Sequence, residues 1–552
     1  MATASYTTDL TAGEITLAES TTGWTALGGG ASGLGTGADF SMQGTLCVDK
    51  QITAAEKGQV YDPGANVTIA AGRHVYTWLF LATPGLADTL SARGLTVAIG
   101  SSTTAYCKYH VEGSDTYGAA GRVARCYPVD PSVYSSNTGS SPYRTQVGTP
   151  SGAYRVFGGL ANITGSVKGA NLGVDAIRHG TGVYVTGGDG ADPDATFSGL
   201  ASQNDSISNR WGVLTAVGGG YELQGKLAIG QNNAGTATVC VFTDSNKSVA
   251  IPQNPHVAST FNQIIVDHAS TVLTLTNVTF NSLGATSPGS FTVTSNNPTV
   301  DLTGCNFLNM AGFTLRSNTT ADGCAWRVCT TAVTLNGATL TACILSNFTS
   351  ATTLIATPAT MANVTDCTFV SDGSNHAVDL GTVSSSTSFN WENFLTGYVA
   401  GTTGSPVSTG STGNEAITVN VASGQALTIN VSAGYSIPSV RNTGSGSVNV
   451  VAGQVTTTIT VVITGTTTPI QNARVYLVAG SGGPLSAGTV IFNDLTDANG
   501  EVTDIRSLAS DQPVTGWVRK STSSPYYKTS PISATIDNAA GLSLTIQMIP
   551  DE

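Results

Sequence analysis

The chain has 552 residues, 65 of them glycine, with 22 Lys and Arg against 34 Asp and Glu for a formal net charge of −12. Charged residues make up only 10%, against roughly 25% in an ordinary soluble domain, which excludes a helical or coiled-coil protein with a Lys/Glu surface. An apolar fraction of 40% with mean hydropathy +0.10 excludes a disordered chain, and a pI near 4.9 excludes a phosphate binder driven by counterion release, so no nucleic-acid partner is expected.

Residues 1–40 are Thr/Ala/Gly-rich and read as a flexible or anchoring N-terminal segment. The first ten residues carry no basic and no apolar run of secretory type, so the expectation is a chain without an export signal. Gly28-Gly29-Gly30-Ala31-Ser32-Gly33 formally fits GxGxxG, but no strand precedes it and no amphipathic helix follows, so it reads as a turn. Residues 41–210 hold strand-like pieces at 75–81, 95–99, 106–111, 123–127, 154–157 and 183–185, separated by Gly, Pro, Asp and Ser. That spacing predicts a jelly-roll or lectin-like β-sandwich. The piece 75–81 is apolar on both faces, as a central strand would be, and stops at Pro84-Gly85, too short to insert in a membrane.

Residues 211–450 contain an internal repeat. Leu275-Thr276-Asn277-Val278-Thr279-Phe280 matches Leu302-Thr303-Gly304-Cys305-Asn306-Phe307, then Ala321-Asp322-Gly323-Cys324-Ala325-Trp326. Leu340-Thr341-Ala342-Cys343-Ile344-Leu345 and Val364-Thr365-Asp366-Cys367-Thr368-Phe369 continue it, with successive cysteines 19, 19 and 24 residues apart. A period near 20 built of short strands predicts a solenoid. Within each unit Leu or Val points inward and the next residue outward. The third position holds Asn277, Gly304, Gly323, Ala342 or Asp366, four of which are residue types that tolerate left-handed backbone. It turns the chain so that Cys and an aromatic or Leu point inward again, which is the pattern of a right-handed parallel β-helix. Weaker coils extend through 221–229, 237–243 and 261–266 upstream, and through 377–380, 416–421 and 426–431 downstream.

Residues 451–552 change character. A strand at 457–462 is followed by Thr468-Pro469-Ile470-Gln471-Asn472-Ala473-Arg474-Val475-Tyr476-Leu477 and later by Thr496-Asp497-Ala498-Asn499-Gly500. These motifs resemble the carboxypeptidase-regulatory-like (transthyretin-like) Ig sandwich. The resemblance implies an Ig-like β-sandwich in which Pro469-Ile470 opens a second strand and Asp497 to Gly500 is a hairpin turn; it implies no catalysis. The fold class expected is therefore all-β: N-terminal sandwich, central parallel β-helix and C-terminal Ig-like sandwich.

Candidate chemistry is sparse. Between Thr271 and Val370 the charged residues are Asp301, Arg316, Asp322, Arg327 and Asp366, with no Glu, Lys or His. Asp322 at an outward position and Asp366 at a turn two coils away make a poor acid–base dyad. His376 with Asp372 and Asp379 reads as a Gly-flanked loop. Gly187-Gly188-Asp189-Gly190-Ala191-Asp192 fits the calcium pattern GGxGxD once only, with Asp194 where a large apolar residue belongs, and reads as an exposed loop. Asp175, Arg178 and His179 lie close together, and Tyr106, Tyr109, His110 and Tyr117 read mainly as sandwich core. Nine cysteines without a CxxC pair, five of them in the repeat, read as buried free thiols. No catalytic, cofactor-binding or metal residue is assigned, and no cofactor is expected.

The Gly/Thr/Ser/Asn-rich all-β composition, the Cys-rung coils and the appended Ig-like module together resemble structural proteins of tailed-bacteriophage virions. The run Gly173-Val174-Asp175-Ala176-Ile177-Arg178-His179-Gly180 and the segment Asn209-Arg210-Trp211-Gly212-Val213-Leu214 share that resemblance. It implies a non-catalytic virion appendage (tail spike or fibre, neck fibre or head decoration) for particle stability or host-surface attachment, assembled in the bacterial host cytoplasm. The expected partners are copies of itself as a homotrimer, other virion proteins of capsid, neck or tail, and a host-surface glycan. Two alternatives are a tailspike-type polysaccharide depolymerase and a bacterial surface adhesin.

Overall fold

Alternation of small polar and apolar residues favours extended backbone almost throughout. Strands hold 55% of the chain and helix 3% in the computed structural model, so the all-β class stands. The structure describes every residue except 1–2, 29–32, 39–40, 53–56, 82–89, 112–122, 133–143, 164–169, 189–194, 206–209, 285–287, 405–406, 409–412, 509 and 552. The chain forms two units, Met1–Thr339 and Leu340–Glu552.

The first unit begins with two antiparallel sheets. One runs in the order Val123–Val129, His74–Leu81, Ala170–Gly180, Cys47–Ile52, Leu34–Gly37, with Glu14–Thr16 added against Ala170–Gly180. The other runs Arg144–Val147, Ala105–Val111, Leu90–Ser102, Val156–Ile163, Lys57–Tyr61, Trp24–Leu27. Val75, Leu79 and Val174 of the first share one core with Val97, Ile99 and Phe157 of the second. All eight residues of His74–Leu81 are buried, as expected of a strand that has neighbours on both sides and another layer above it. Two sequence expectations change here. The segment 1–40 is not a free tail, because Ser5–Thr8, Glu14–Thr16, Trp24–Leu27 and Leu34–Gly37 are all hydrogen-bonded into sheets. Gly182–Thr186, expected in the sandwich, instead pairs in parallel with Lys226–Ile229.

That pair opens three parallel ladders. Gly182–Thr186 is followed rung by rung by Lys226–Ile229, Gln263–Val266, Ser290–Val293, Phe313–Thr314 and Val333–Thr334. A second ladder stacks Val241–Ser245, Val272–Thr276, Thr299–Thr303 and Thr319–Asp322. A third stacks Gly220–Leu223, Ser248–Ile251, Thr279–Ser282, Asn306–Leu308 and Ala325–Arg327. Register follows the sequence repeat, with Leu275 over Leu302, Leu302 over Ala321, Phe280 over Phe307 and Phe307 over Trp326. The rings stack almost flat, at 5.5 Å and 7° for Phe280–Phe307 and 5.3 Å and 14° for Phe307–Trp326. Cys305 and Cys324 thiols reach back to the Leu275 and Leu302 carbonyls of the preceding coil at 3.4 and 3.5 Å. All nine cysteines are free and buried.

The corner residues explain the register. Asn246, Asn277, Gly304 and Gly323 have φ of 55°, 54°, 61° and 58°, and in the second unit Ala342 and Asp366 have 52° and 57°. Each of the five predicted turn positions is therefore left-handed, including the alanine. A second left-handed corner, not foreseen, lies at Asn309, Val328 and, in the second unit, Asn347.

The second unit continues in the same style. Thr352–Ile355, His376–Val383, Ile417–Val421 and Val440–Asn442 stack in parallel, as do Ile344–Ser346, Val364–Val370, Thr387–Thr396, Ala426–Val431 and Ser447–Ala452. Its C-terminal part has a three-stranded sheet, Glu501–Arg506, Val455–Ile463, Leu542–Met548, and a four-stranded one, Val490–Leu495, Arg474–Ala479, Gln512–Lys520, Tyr527–Ile536. Ile459, Val475, Val518 and Met548 meet in their common core. Ile470 is buried, but the strand after it starts only at Arg474. Asp497 to Gly500 is a tight turn, with Asp497 Oδ1 accepting the Asn499 and Glu501 amides. It is not a hairpin turn: the strands it joins belong to different sheets.

Val328 is a β-branched residue held at φ 55° and 43% exposed, a conformation that costs an L-residue roughly 1–2 kcal/mol and that Asn tolerates better. Val328→Asn should stabilise the first unit by about 1 kcal/mol in denaturant unfolding; a loss of stability would show that the corner is set otherwise.

Candidate functional site

Of the charged residues singled out from sequence, Asp301, Asp366, Asp372 and Asp379 are spent on local structure. Asp301 accepts the Thr320 hydroxyl of the next rung at 2.6 Å. Asp322 is exposed, as is Arg327. Asp366 sits in its left-handed corner and accepts the Tyr435 hydroxyl at 2.5 Å. His376 is buried with Nδ1 on the Glu415 carbonyl at 2.6 Å, while Asp372 and Asp379 cap their own turns at Ser374 and Gly381. Tyr106 and Tyr109 are core residues, and His110 lies between the hydroxyls of Thr96 and Thr145. Asp189, Asp192 and Asp194 of the calcium-like motif, Tyr117, Asn209 and most of the Gly28 to Gly33 turn lie outside the described residues. Among the described residues no cluster of three or more His, Cys, Asp or Glu side chains could hold a metal ion.

Asp175 and Arg178 form a clasp on Gln43, from which Arg178 also reaches Glu14 of the N-terminal segment, while His179 belongs to a separate contact with Arg73. A bulge at Ala176, φ 43°, lies between Asp175 and Arg178 on Ala170–Gly180. The fully buried Asp175 carboxylate accepts the amides of Met42, of Gln43 at 3.0 Å and of Ala176 at 2.8 Å. Arg178 donates to Gln43 Oε1 at 2.7 Å and pairs with Glu14 at 3.0 Å. His179 Nδ1 accepts from Arg73 Nε at 2.9 Å.

A second arrangement was not singled out from sequence. In the first unit Lys226 and Gln263 begin two successive rungs of one ladder, and with Thr181, His74 and Asp9 they border a cavity of about 530 Å³. Asp9 is saturated: it accepts the Thr181 amide at 2.9 Å and hydroxyl at 2.9 Å, and pairs with Arg73 at 3.3 Å. Lys226 donates to Gln231 at 2.8 Å and lies 5.0 Å from the centre of the Tyr184 ring. Burial lowers the Lys226 pKa, against the charges of Asp9 and Asp267. Tyr184 shares a 2.9 Å hydrogen bond with the Thr181 hydroxyl.

His74 is the unusual member. It is only 5% exposed, and its ring lies 4.2 Å from that of Phe261. Neither ring nitrogen has a hydrogen-bond partner. Burial pushes its pKa below the ordinary histidine value; the Asp130 charge and the nearby Gly72 carbonyl, which is not in hydrogen-bonding geometry, act the other way. The imidazole is therefore neutral at pH 7. With the Asp9 oxygens occupied, the cavity has polar groups for holding a molecule but no free pair of carboxyls for cleaving one.

No protein-family model and no curated protein matches this chain. Among solved structures it is similar to a xylan-binding domain from CBM 22, at 13% identity and a TM-score of 0.16, over 31% of this chain and 95% of that one. It is also similar to the catalytic domain of a GH87 alpha-1,3-glucanase, in complex with nigerose and with tetrasaccharides. Both align at 10% identity and a TM-score of 0.16, over 80% and 82% of this chain and 98% and 99% of theirs. Likenesses at that TM-score carry no argument about fold or chemistry, so the site rests on its own geometry.

The sequence signal for the cavity was faint: one His at the head of an apolar run, and polar residues heading rungs whose stacking is visible only once the coils are aligned. The Asp175 clasp yields a sharper test. Burial raises the Asp175 pKa to about 7, above the ordinary 3.8, with the three amides opposing. Ionisation thus opposes folding, and the Asp175 contribution to stability falls as pH rises from about 4 to about 7 and is level above. Asp175→Asn removes this titration. The wild-type-minus-variant difference in unfolding free energy should fall across that window; a flat difference would contradict the assignment.

Proposed function

We propose that the chain is a non-catalytic structural component of a bacteriophage virion, an appendage for particle stability and host-surface attachment that works as a homotrimer. The observation that carries this reading is how the coils use their side chains. Inside are Cys, Leu and aromatic ladders; outside are Thr and Asn rows such as Asn277 to Asn246 and Asn309 to Asn281. Of the few carboxylates, Asp301 bridges two rungs, Asp372 and Asp379 cap turns, and Asp322 is exposed without a facing carboxyl partner in its rung. Cleavage of a glycosidic bond needs two carboxyl groups facing one bond, roughly 5–10 Å apart, and Asp301 and Asp366 are committed to Thr320 and Tyr435.

The outer surface supports self-association. Leu283 and Val328 in the first unit, and Ile355, Phe394 and Val399 in the second, are large apolar side chains between 40% and 58% exposed. Apolar groups on a strand surface nearly free of Lys and Glu are poorly guarded against association, and a closed cyclic arrangement covers them without growing a filament. Nine buried free thiols suit assembly in a reducing bacterial cytoplasm. Light scattering of the full chain should give a mass about three times the 56.0 kDa of one copy, and incubation with α-1,3-glucan and xylan should release no reducing ends. A 56.0 kDa particle would overturn the trimer, and released reducing ends would overturn the non-catalytic reading in favour of a depolymerase.

A further inference from the structure

We infer that the outward face of the C-terminal four-stranded sheet binds an acidic saccharide, with the carboxylate of a uronic-acid unit held by Arg474 and Arg519. The inference deepens the attachment half of the function proposed above and rests on it. The sheet runs Val490–Leu495, Arg474–Ala479, Gln512–Lys520, Tyr527–Ile536. Val475, Leu477, Val514 and Val518 point into the core, so Arg474, Tyr476, Thr515, Trp517 and Arg519, which alternate with them, point outward. Arg474 stands directly opposite Arg519, and Tyr476 directly opposite Trp517.

The arginine pair is the unusual feature. Like charges directly opposed across an antiparallel pair destabilise it. Arg474 donates through Nη1 to the Asn493 carbonyl and Oδ1, both neutral acceptors, at 3.0 Å. Arg519 is exposed, with its guanidinium 4.5 Å from the centre of the Trp517 ring, which stacks on Tyr476 at 5.4 Å and 26°. Among the described residues the Arg519 side chain has no hydrogen bond and no ion pair, so its donors are positioned by the ring and left open to solvent. Lys520 and Lys528, on the same sheet, also have no ion pair among the described residues. The sheet's one carboxylate, Asp494, is registered with inward-facing Val475, on the other face from the arginines. On a chain of net charge −12, this face is a cationic patch that lacks its anion.

The neighbours set the kind of anion. A guanidinium fork meets a planar carboxylate with two hydrogen bonds at once. Beside it Asn493, Thr515 and Ser533 are exposed, and the Tyr476 hydroxyl and Trp517 Nε1 have no hydrogen bond among the described residues. These are the donors and acceptors that answer sugar hydroxyls. An acidic protein partner would call for an apolar centre with a polar rim, whereas here the exposed apolar side chains Val490 and Leu495 lie on the edge strand.

The test is calorimetric titration of the full chain with tetragalacturonate, with maltotetraose as the neutral comparator and hexaglutamate as the acidic peptide. Tetragalacturonate should bind roughly tenfold or more tightly than either. Arg519→Gln should weaken it about tenfold without lowering the thermal midpoint, because one of two opposed charges is removed. Arg519→Lys keeps the charge but loses the fork, and should recover only part of the binding. No binding of tetragalacturonate would overturn the inference. Preference for maltotetraose, or tetragalacturonate binding that Arg519→Gln leaves unchanged, would overturn it while leaving glycan attachment intact. Preference for hexaglutamate would overturn it and count against glycan attachment as well.

Discussion

A chain can stack its strands coil upon coil only if every coil turns at the same place, and here that turn is a single residue in left-handed backbone. Such a residue costs an ordinary L-amino acid roughly 1–2 kcal/mol, so the position selects Asn, Asp and Gly. Several corner amides are then used: Asn246 donates to Thr276, Asn277 to Thr303 and Gly304 to Asp322, at 2.8–2.9 Å. The corner thus joins one rung to the next and sets the strand register on both sides of it. Since a slip of one residue would send every inward side chain outward, the positions of Cys305, Phe307 and Trp326 all depend on it.

Once register is fixed, the interior is filled by like on like. Phenylalanine and tryptophan rings stack along the third ladder, and cysteine, small and apolar, fits beside the corner where a larger residue would not. The second unit has its own ladder, in which a polar residue stands beside a cysteine. Asn393 is fully buried, accepts the Cys367 amide at 3.0 Å and donates to the Val364 carbonyl at 2.9 Å, so its polar groups are matched as burial requires. An interior of this kind is rigid and chemically quiet.

Much of the coil region was legible because each position in the repeat answers to one local rule. The corners at 277, 304, 323, 342 and 366 could be read from residue type, with Ala342 placed by alignment alone. The second corner could not, because Val328 occupies it and β-branched residues argue against left-handed backbone. Gly182–Thr186 looked like any sandwich strand, since a short apolar run does not say whether its partner will be parallel. The N-terminal strands were hidden by their Thr/Gly composition; what holds them in place is pairing with strands distant in sequence, to which Arg178 adds its ion pair with Glu14. The unpartnered ring nitrogens of His74 could not be foreseen, because the lack of a partner is a fact of tertiary packing.

The central claim is that the left-handed corners are hydrogen-bonded steps of one ladder. Residue-resolved hydrogen exchange on the intact chain tests it directly. The amides of Asn277 and Gly304, on turns whose side chains face solvent, should exchange as slowly as those of Phe280 and Phe307 within the strands. Exchange at these corners as fast as in the exposed 232–235 turn would contradict the account.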